Sequence, residues 1–438
     1  MKKKIVQLVF KNTSTLDFTI PIFRRLSLDD RYECTVIFWG WDEREFLRSG
    51  SCYKRYLNEY GVNIKCLSDF IPTWVGRLLR SEEAQADRLS FLEVRRLVLV
   101  DPLSVVLSVY KYARYSIKNI IGAIFLRSET IISSKADCLL YDLRKNERYF
   151  QSKRFKEYLK GSGLPIYFIP HAPHMRTPDG DFVDFFDGLE NFQKFNYAVC
   201  HKYAKPKHIK GNTSLNYFLS GYPGFDKDWL DTLKKKNKLH QKKKKILYIG
   251  RRFVHPDVKI EGFDVYTQSF DLANRNLGII VAAVGDLEAA QIIYKPHPNV
   301  NNSLISSLIS KYSDVVDISV SYEPIFEVLK DVDYVISEPS TVVLISGMMN
   351  IPTAIFDGDL QAEVEKSWVE LKWLYEPFEK VKNIKDLNEF INRHESFHFE
   401  RSRVVENRIR DMFPSNAANK FLMEMDNEMK NNIKDILL

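Results

Sequence analysis

The feature that most limits how this chain can fold is the stretch 292–356, where two short strand-like runs end abruptly and the second opens into a helix. The first run, Ile292-Ile293-Tyr294-Lys295, is stopped by Pro296 and Pro298, which bracket His297. Proline fixes its own φ and has no N–H to give a ladder, so the strand ends there and the histidine is held stiffly at its tip. The second run, Tyr334-Val335-Ile336-Ser337, is apolar enough for a strand buried on both faces. It stops at Pro339, Ser340 stands where a helix cap is needed, and residues 342–349 supply a largely apolar helix body. Such an alternation of strand and helix is what a parallel α/β sheet requires. Free N–H groups at that helix start, with the hydroxyls of Ser340 and Thr341, read as a place for an anion where strands terminate.

The rest of the chain repeats the alternation. Residues 5–10, 34–39, 62–67, 136–141, 165–170, 197–200 and 218–220 read as strands, with helical pattern over 82–99 and 103–133. Lysines crowd residues 234–245, a charge run typical of a solvated linker. A strand follows over 246–249, then helices over 303–311 and 324–329, a strand over 353–356, and helical pattern over 361–370, 384–394 and 401–412. With 438 residues and 45% hydrophobic composition, the chain can bury two ordinary cores. The expected fold class is therefore α/β, with two Rossmann-type parallel-sheet domains at 1–228 and 246–400, a Lys-rich linker at 229–245, and terminal helices at 401–438.

Composition narrows the function classes. A formal charge of +7 without an aromatic-interleaved basic motif argues against nucleic acid, while suiting a phosphorylated ligand or an anionic surface. Cys34, Cys52, Cys66, Cys138 and Cys200 form no CxxC pair and read as reduced thiols of a cytoplasmic protein. Met1-Lys2-Lys3-Lys4 followed by an apolar run has the outline of a secretion signal, but the run is too short and reads as a first strand. Lys111, Arg114, Lys118 and Arg127 interrupt the most apolar region, so no membrane span is expected. A helix there carrying Tyr110, Tyr112 and Tyr115 among those cations leaves peripheral membrane contact open beside ordinary packing. No GxGxxG or Walker-type loop is present, which disfavours a dinucleotide or ATP cofactor, and no cofactor is expected.

Lys295-Pro296-His297-Pro298 followed by Ser340-Thr341 resembles the paired signatures of GT-B transferases that build bacterial surface polymers. The nearest patterns are the CDP-glycerol glycerophosphotransferase-like family and the bacterial CMP-sialic acid transferases. In both families the histidine and the hydroxyl pair contact the donor's phosphates, which implicates His297, Ser340 and Thr341 here. Gly221-Tyr222-Pro223 is similar to a Gly-Tyr-Pro-Arg of the first family, although Gly224 replaces the arginine. His171, at the end of the 165–170 strand, stands near that family's proposed base. Asp187-Gly188 resembles the sialyltransferases' acidic-acidic-Gly motif, with Phe186 in place of the first acid. An Asp-Gly is also an ordinary turn, so the base stays open between His171 and Asp187.

What the resemblance implies is a GT-B architecture, two domains facing a cleft with C-terminal helices crossing back to the first. The implied activity is an inverting, metal-independent transfer from a CMP-sugar or a CDP-alditol to a saccharide or lipid-linked acceptor in surface-polysaccharide synthesis. Around the phosphates, Gly250 after a strand lets backbone approach, Arg251 offers a bidentate donor set, and Lys295 and Glu338 flank the two motifs. His297 serves as general acid if its pKa lies near neutrality. Whether sugar or phospho-alditol is transferred stays open. A non-hydrolysing nucleotide-sugar 2-epimerase and a catalytically silent GT-B scaffold are the alternatives.

Overall fold

The computed structural model describes residues 2–9, 16–38, 52–66, 136–142, 164–170, 195–201, 215–233, 243–255, 267–285, 287, 290–297, 300–338, 340, 342–356 and 376–437. Two parallel sheets dominate it. The first holds β1 (Lys3–Val9), β2 (Tyr32–Phe38), β3 (Asn63–Cys66), β4 (Cys138–Asp142), β5 (Ile166–Ile169), β6 (Phe195–Val199) and β7 (Leu215–Leu219), in the order β3-β2-β1-β4-β5-β6-β7. The second holds β8 (Lys244–Ile249), β11 (Ala290–Lys295), β12 (Ile318–Val320), β13 (Tyr334–Ser337), β14 (Thr353–Phe356) and β15 (Glu379–Val381), in the order β12-β11-β8-β13-β14-β15. A small parallel pair, β9 (Arg252–Val254) and β10 (Thr267–Ser269), stands beside it.

Ten described helices cover the sheets. They are α1 (Leu16–Leu26), α2 (Cys52–Glu59), α3 (Lys227–Leu233), α4 (Phe270–Gly285), α5 (Asn302–Ile309), α6 (Ile325–Leu329), α7 (Val342–Met348), α8 (Ile384–Asn392), α9 (Glu395–Met412) and α10 (Ala417–Leu437). The expected linker is shorter than its lysines suggest. Trp229, Leu230 and Leu233 are buried on α3, and Lys244 and Lys245 already belong to β8. A strand pairs through its backbone, so lysines at its start cost it nothing while their side chains reach solvent.

Period-2 alternation along the second sheet divides its side chains between two cores. Leu247, Ile249, Val335 and Ile355 join a core shared with the first sheet, whereas Ile246, Tyr248, Ile336 and Phe356 join a core with α4 and α8. The shared core explains why the two halves meet. Tyr53 and Tyr56 of α2, with Trp229 of α3, pack their rings on Phe326 of α6 at centroid distances of 5.9, 5.7 and 5.7 Å. Glu327 beside it takes hydrogen bonds from Tyr56, Lys330 and Arg55.

The chain's last helices tie the halves again. α7 packs on α9 at Gly347, where a Cβ would lie 2.8 Å from Val405 Cγ1 and 2.9 Å from Ile409 Cδ1. α10 then lies on the first sheet and α1. Asp226 accepts from the N–H groups of Ala417 and Ala418 at 2.7 and 2.8 Å, capping α10 from the first domain, and Asp426 binds Lys3 at 2.8 Å and Tyr32 at 2.5 Å. Among the described residues no helix is long and apolar enough to cross a membrane.

Candidate functional site

Strands β11, β8 and β13 lie side by side, and their register sets Lys295, Ile249 and Ser337 level. The segments that follow leave the sheet from one edge: Pro296 and His297, Gly250 and Arg251, Glu338 and Ser340. The chain runs from β8 to β11 on one side and returns to β13 on the other. This is a topological switch point, where an open α/β sheet leaves a crevice outside its strand ends. The ladder continues one step into it, with Gly250 N–H on Lys295 O at 3.3 Å and Glu338 N–H on Ile249 O at 3.1 Å.

The sequence-predicted residues divide here into two groups. His297 reaches the surface at the tip of β11, and its carbonyl accepts from Val300 N–H at 3.0 Å, which turns the chain toward the Asn301 cap of α5. Although the residue is exposed, enough protein surrounds the ring that desolvation, with the Arg252 guanidinium, holds its pKa below the ordinary value, so the imidazole is mostly neutral near pH 7. Ser340 is half-buried, and its hydroxyl accepts from Val342 N–H at 3.4 Å, as a capping serine does.

The other group turns inward. Glu338 is 2% exposed, and its Oε1 accepts from Tyr248 OH at 2.5 Å, Asn276 Nδ2 at 3.3 Å and Gln268 Nε2 at 3.4 Å. A buried carboxylate needs such donors, and it found them in the core between α4 and the sheet. Arg251 is buried beside this cluster, where its charge acts on Tyr248. The room at Gly250 is taken by the Tyr294 ring, since a Cβ there would lie 2.6 Å from the Tyr294 hydroxyl. These three residues brace the edge from within. Thr341, His171 and Asp187 lie outside the described residues.

Across from this edge is a residue the sequence reading missed. β1 is the switch strand of the first sheet, between β2 and β4, and Asp17 lies in the first turn of α1 directly after it. Tyr53 OH donates to Asp17 Oδ1 at 2.5 Å. Burial pushes the Asp17 carboxyl up to about 7, against the pull of the Tyr53 hydrogen bond and the Lys295 charge. Lys295 sits at the end of β11 in the other sheet. Burial brings its ammonium down to about 8 despite Asp17 and Glu323, and its Nζ donates to the Glu323 carbonyl. The acid after the switch strand of one sheet and the cation at a strand end of the other thus feel each other's charge. Among the described residues, no group of three or more His, Cys, Asp or Glu is gathered as metal ligands would be.

The Asp17 carboxyl has a stability consequence. Its folded pKa of about 7 lies above the ordinary aspartate value of 3.8, so between those values the folded chain holds a proton that the unfolded chain releases. The stability it contributes is complete below the lower value and lost as pH rises to the upper. Asp17→Asn is therefore expected to melt like the wild type near pH 4 and to be more stable by about 2–4 kcal/mol at pH 8. Melting curves at both pH values check this, and equal stability at pH 8 would show an unperturbed carboxylate.

No protein-family model and no curated protein sequence matches the chain. Solved structures do match. One described as a UDP-N-acetylglucosamine 2-epimerase from Listeria monocytogenes aligns with a TM-score of 0.53 at 13% identity, over 98% of each chain. TcCGT1, solved in complex with UDP, aligns with a TM-score of 0.52 at 10% identity, over 99% of this chain and 100% of that one. The wall teichoic acid polymerase TagF gives a TM-score of 0.50 at 12% identity, over 99% and 90%. At such identities the likeness carries the fold alone, and that fold is GT-B: two Rossmann-like domains of parallel sheet, as the sequence led one to expect.

Proposed function

We propose that this chain is a transferase that takes a nucleotide-activated donor and passes its activated group to a hydroxyl acceptor held between the two sheets. The observation that supports this most is the placement of Asp17 after the switch strand of one domain and of Lys295, two residues before His297, at a switch-point strand end of the other, where each feels the other's charge. A transferase must neutralise a departing phosphate and take a proton from the acceptor, and here cationic and hydrogen-bonding groups lie opposite an acid of near-neutral pKa.

In this reading the second domain, residues 246–400, binds the donor. His297, Lys295, Ser340 and Thr341 attend its phosphates, with Gly250, Arg251 and Glu338 holding the loops in place. The first domain, residues 1–228, presents the acceptor, and helices of 401–438 fasten it. Neutral His297 offers one ring N–H to a phosphate oxygen. The phosphate's charge in turn favours the protonated ring, which then serves as general acid for the leaving group. The motif resemblance favours a cytidine nucleotide, CMP-sugar or CDP-alditol, transferred with inversion and without a metal into a bacterial surface polymer. A saccharide or lipid-linked acceptor and a cytoplasmic position at the inner membrane face belong to the same proposal.

A 2-epimerase is the second reading, because a carboxyl that burial pushes up to about 7, as it does Asp17, also suits proton transfer at a sugar carbon. Thermal shift against CMP, CDP, UDP, GDP and NAD, with and without magnesium, separates the two. A ligand that binds the native state at about a hundred times its Kd adds roughly 2.7 kcal/mol. Stabilisation by CMP or CDP without magnesium is the expected result. A UDP preference would move the assignment to the epimerase or a UDP-sugar transferase, and no response would leave the silent scaffold.

A further inference from the structure

We propose that Asp17 is the catalytic base of this site: its carboxylate, held by Tyr53 and set against Lys295 of the opposite domain, accepts the proton of the attacking hydroxyl. The inference rests on the transferase reading and adds a residue that the motifs did not mark.

Position comes first. Asp17 follows the switch strand of the first sheet, and Lys295 ends the strand that carries His297 at its tip. A base there lies on the acceptor's side of the cleft and opposite the groups that would hold the donor's phosphate. Orientation comes second. Tyr53 OH occupies Oδ1, and among the described residues no donor takes Oδ2. Burial keeps the Tyr53 hydroxyl protonated well above neutral pH, so it remains a fixed donor. Basicity comes third. A carboxylate near its ordinary value is too weak a base for an alcohol, whereas burial of Asp17 brings it to about 7, near the working range of a general base. The Tyr53 hydrogen bond and, to a lesser degree, the Lys295 charge oppose that shift. The remaining groups that act on Asp17 are Cys52 and Tyr222, both held protonated by burial, while Glu323 acts on Lys295.

The step balances without a further reactant. The acceptor O–H bond breaks and its proton passes to Asp17 Oδ2, while the acceptor oxygen bonds to the donor's anomeric carbon or phosphorus. The bond from that atom to the nucleotide phosphate oxygen breaks, and its electron pair leaves with the phosphate beside His297. Asp17 then returns the proton to solvent.

The test measures CMP release from CDP-glycerol and from CMP-sialic acid, with water as acceptor, between pH 5 and 9. Wild type, Asp17→Asn, Lys295→Met, His171→Ala and Asp187→Asn are compared, with CMP affinity measured by calorimetry. Asp17→Asn still accepts the Tyr53 hydrogen bond. It is expected to bind CMP like the wild type and to lose about 10²–10⁴-fold in kcat together with the rise in rate through pH 7. Lys295→Met is expected to move that rise to higher pH, because the cation that lowers the Asp17 pKa is gone. An Asp17→Asn chain that keeps its rate and its pH profile overturns the proposal. So does one that loses CMP binding in proportion to rate, or a pH limb abolished by His171→Ala or Asp187→Asn instead. Wild-type protein that releases no CMP from either donor refutes the cytidine-transferase reading, and this role falls with it.

Discussion

A His297→Ala chain is expected to lose donor turnover by about 10²–10⁴-fold while its melting temperature stays close to that of the wild type. The two halves of that expectation come from different features. His297 stands at the surface, so the fold loses little packing when the ring is cut back. What disappears, on the proposed transferase reading, is the group that would give a proton or a hydrogen bond to the leaving phosphate. The ring's depressed pKa adds a check. Below pH 6.5 an unfolded chain protonates this histidine more readily than the folded chain does, so it lowers stability as pH falls. His297→Ala is thus expected to melt with a weaker acid dependence than the wild type between pH 6.5 and 5. Chromatographic measurement of nucleotide release, paired with melting curves, reads both. Turnover within threefold of the wild type removes His297 from the mechanism, whatever the melting curves show.

The edge that carries His297 was legible because prolines and short apolar runs are local signals. Pro296 follows β11, and Pro352 precedes β14, whose expected span of 353–356 is the one found. Less legible were elements whose cues are distant or weak. α4 is buried at Phe270, Ala273, Leu277, Ile280 and Val284, a helical spacing, but Asn274, Asn276 and Gly278 within it dilute the signal. β9, β10, β12 and β15 are three residues each, too short for any alternation to register.

The core partners of Glu338 were not legible for a specific reason. An acid between a strand and a helix cap looks ligand-facing, and nothing nearby shows that Tyr248, Gln268 and Asn276 wait for it in the core. Asp17 was hidden in the opposite way. An aspartate in a helix's first turn is commonplace because it suits the helix dipole. Its meaning comes from Tyr53 and Lys295, and from strand order in two sheets, none of which a single stretch of sequence contains.

Phe421→Ala is expected to cost about 3–5 kcal/mol, the largest stability loss argued for this chain. The ring is fully buried, with Tyr167, Phe218 and Phe18 centred 5.3, 5.6 and 5.9 Å away. Those partners come from β5, β7 and α1, so the cavity would open inside the first domain although Phe421 belongs to the last helix. That geometry fixes what the melt should look like. α10 is capped by Asp226 and tied to β1 and β2 through Asp426, while α9 just before it packs on α7 of the second domain. Loosening α10 therefore weakens the first sheet directly and the second through α9 and the shared core. A calorimetric melt of Phe421→Ala is expected to show the first domain unfolding earlier as a separate transition, with nucleotide still raising the later one. A single transition shifted as a whole would mean that the shared core, and not the terminal helix, sets the cooperativity of the two domains.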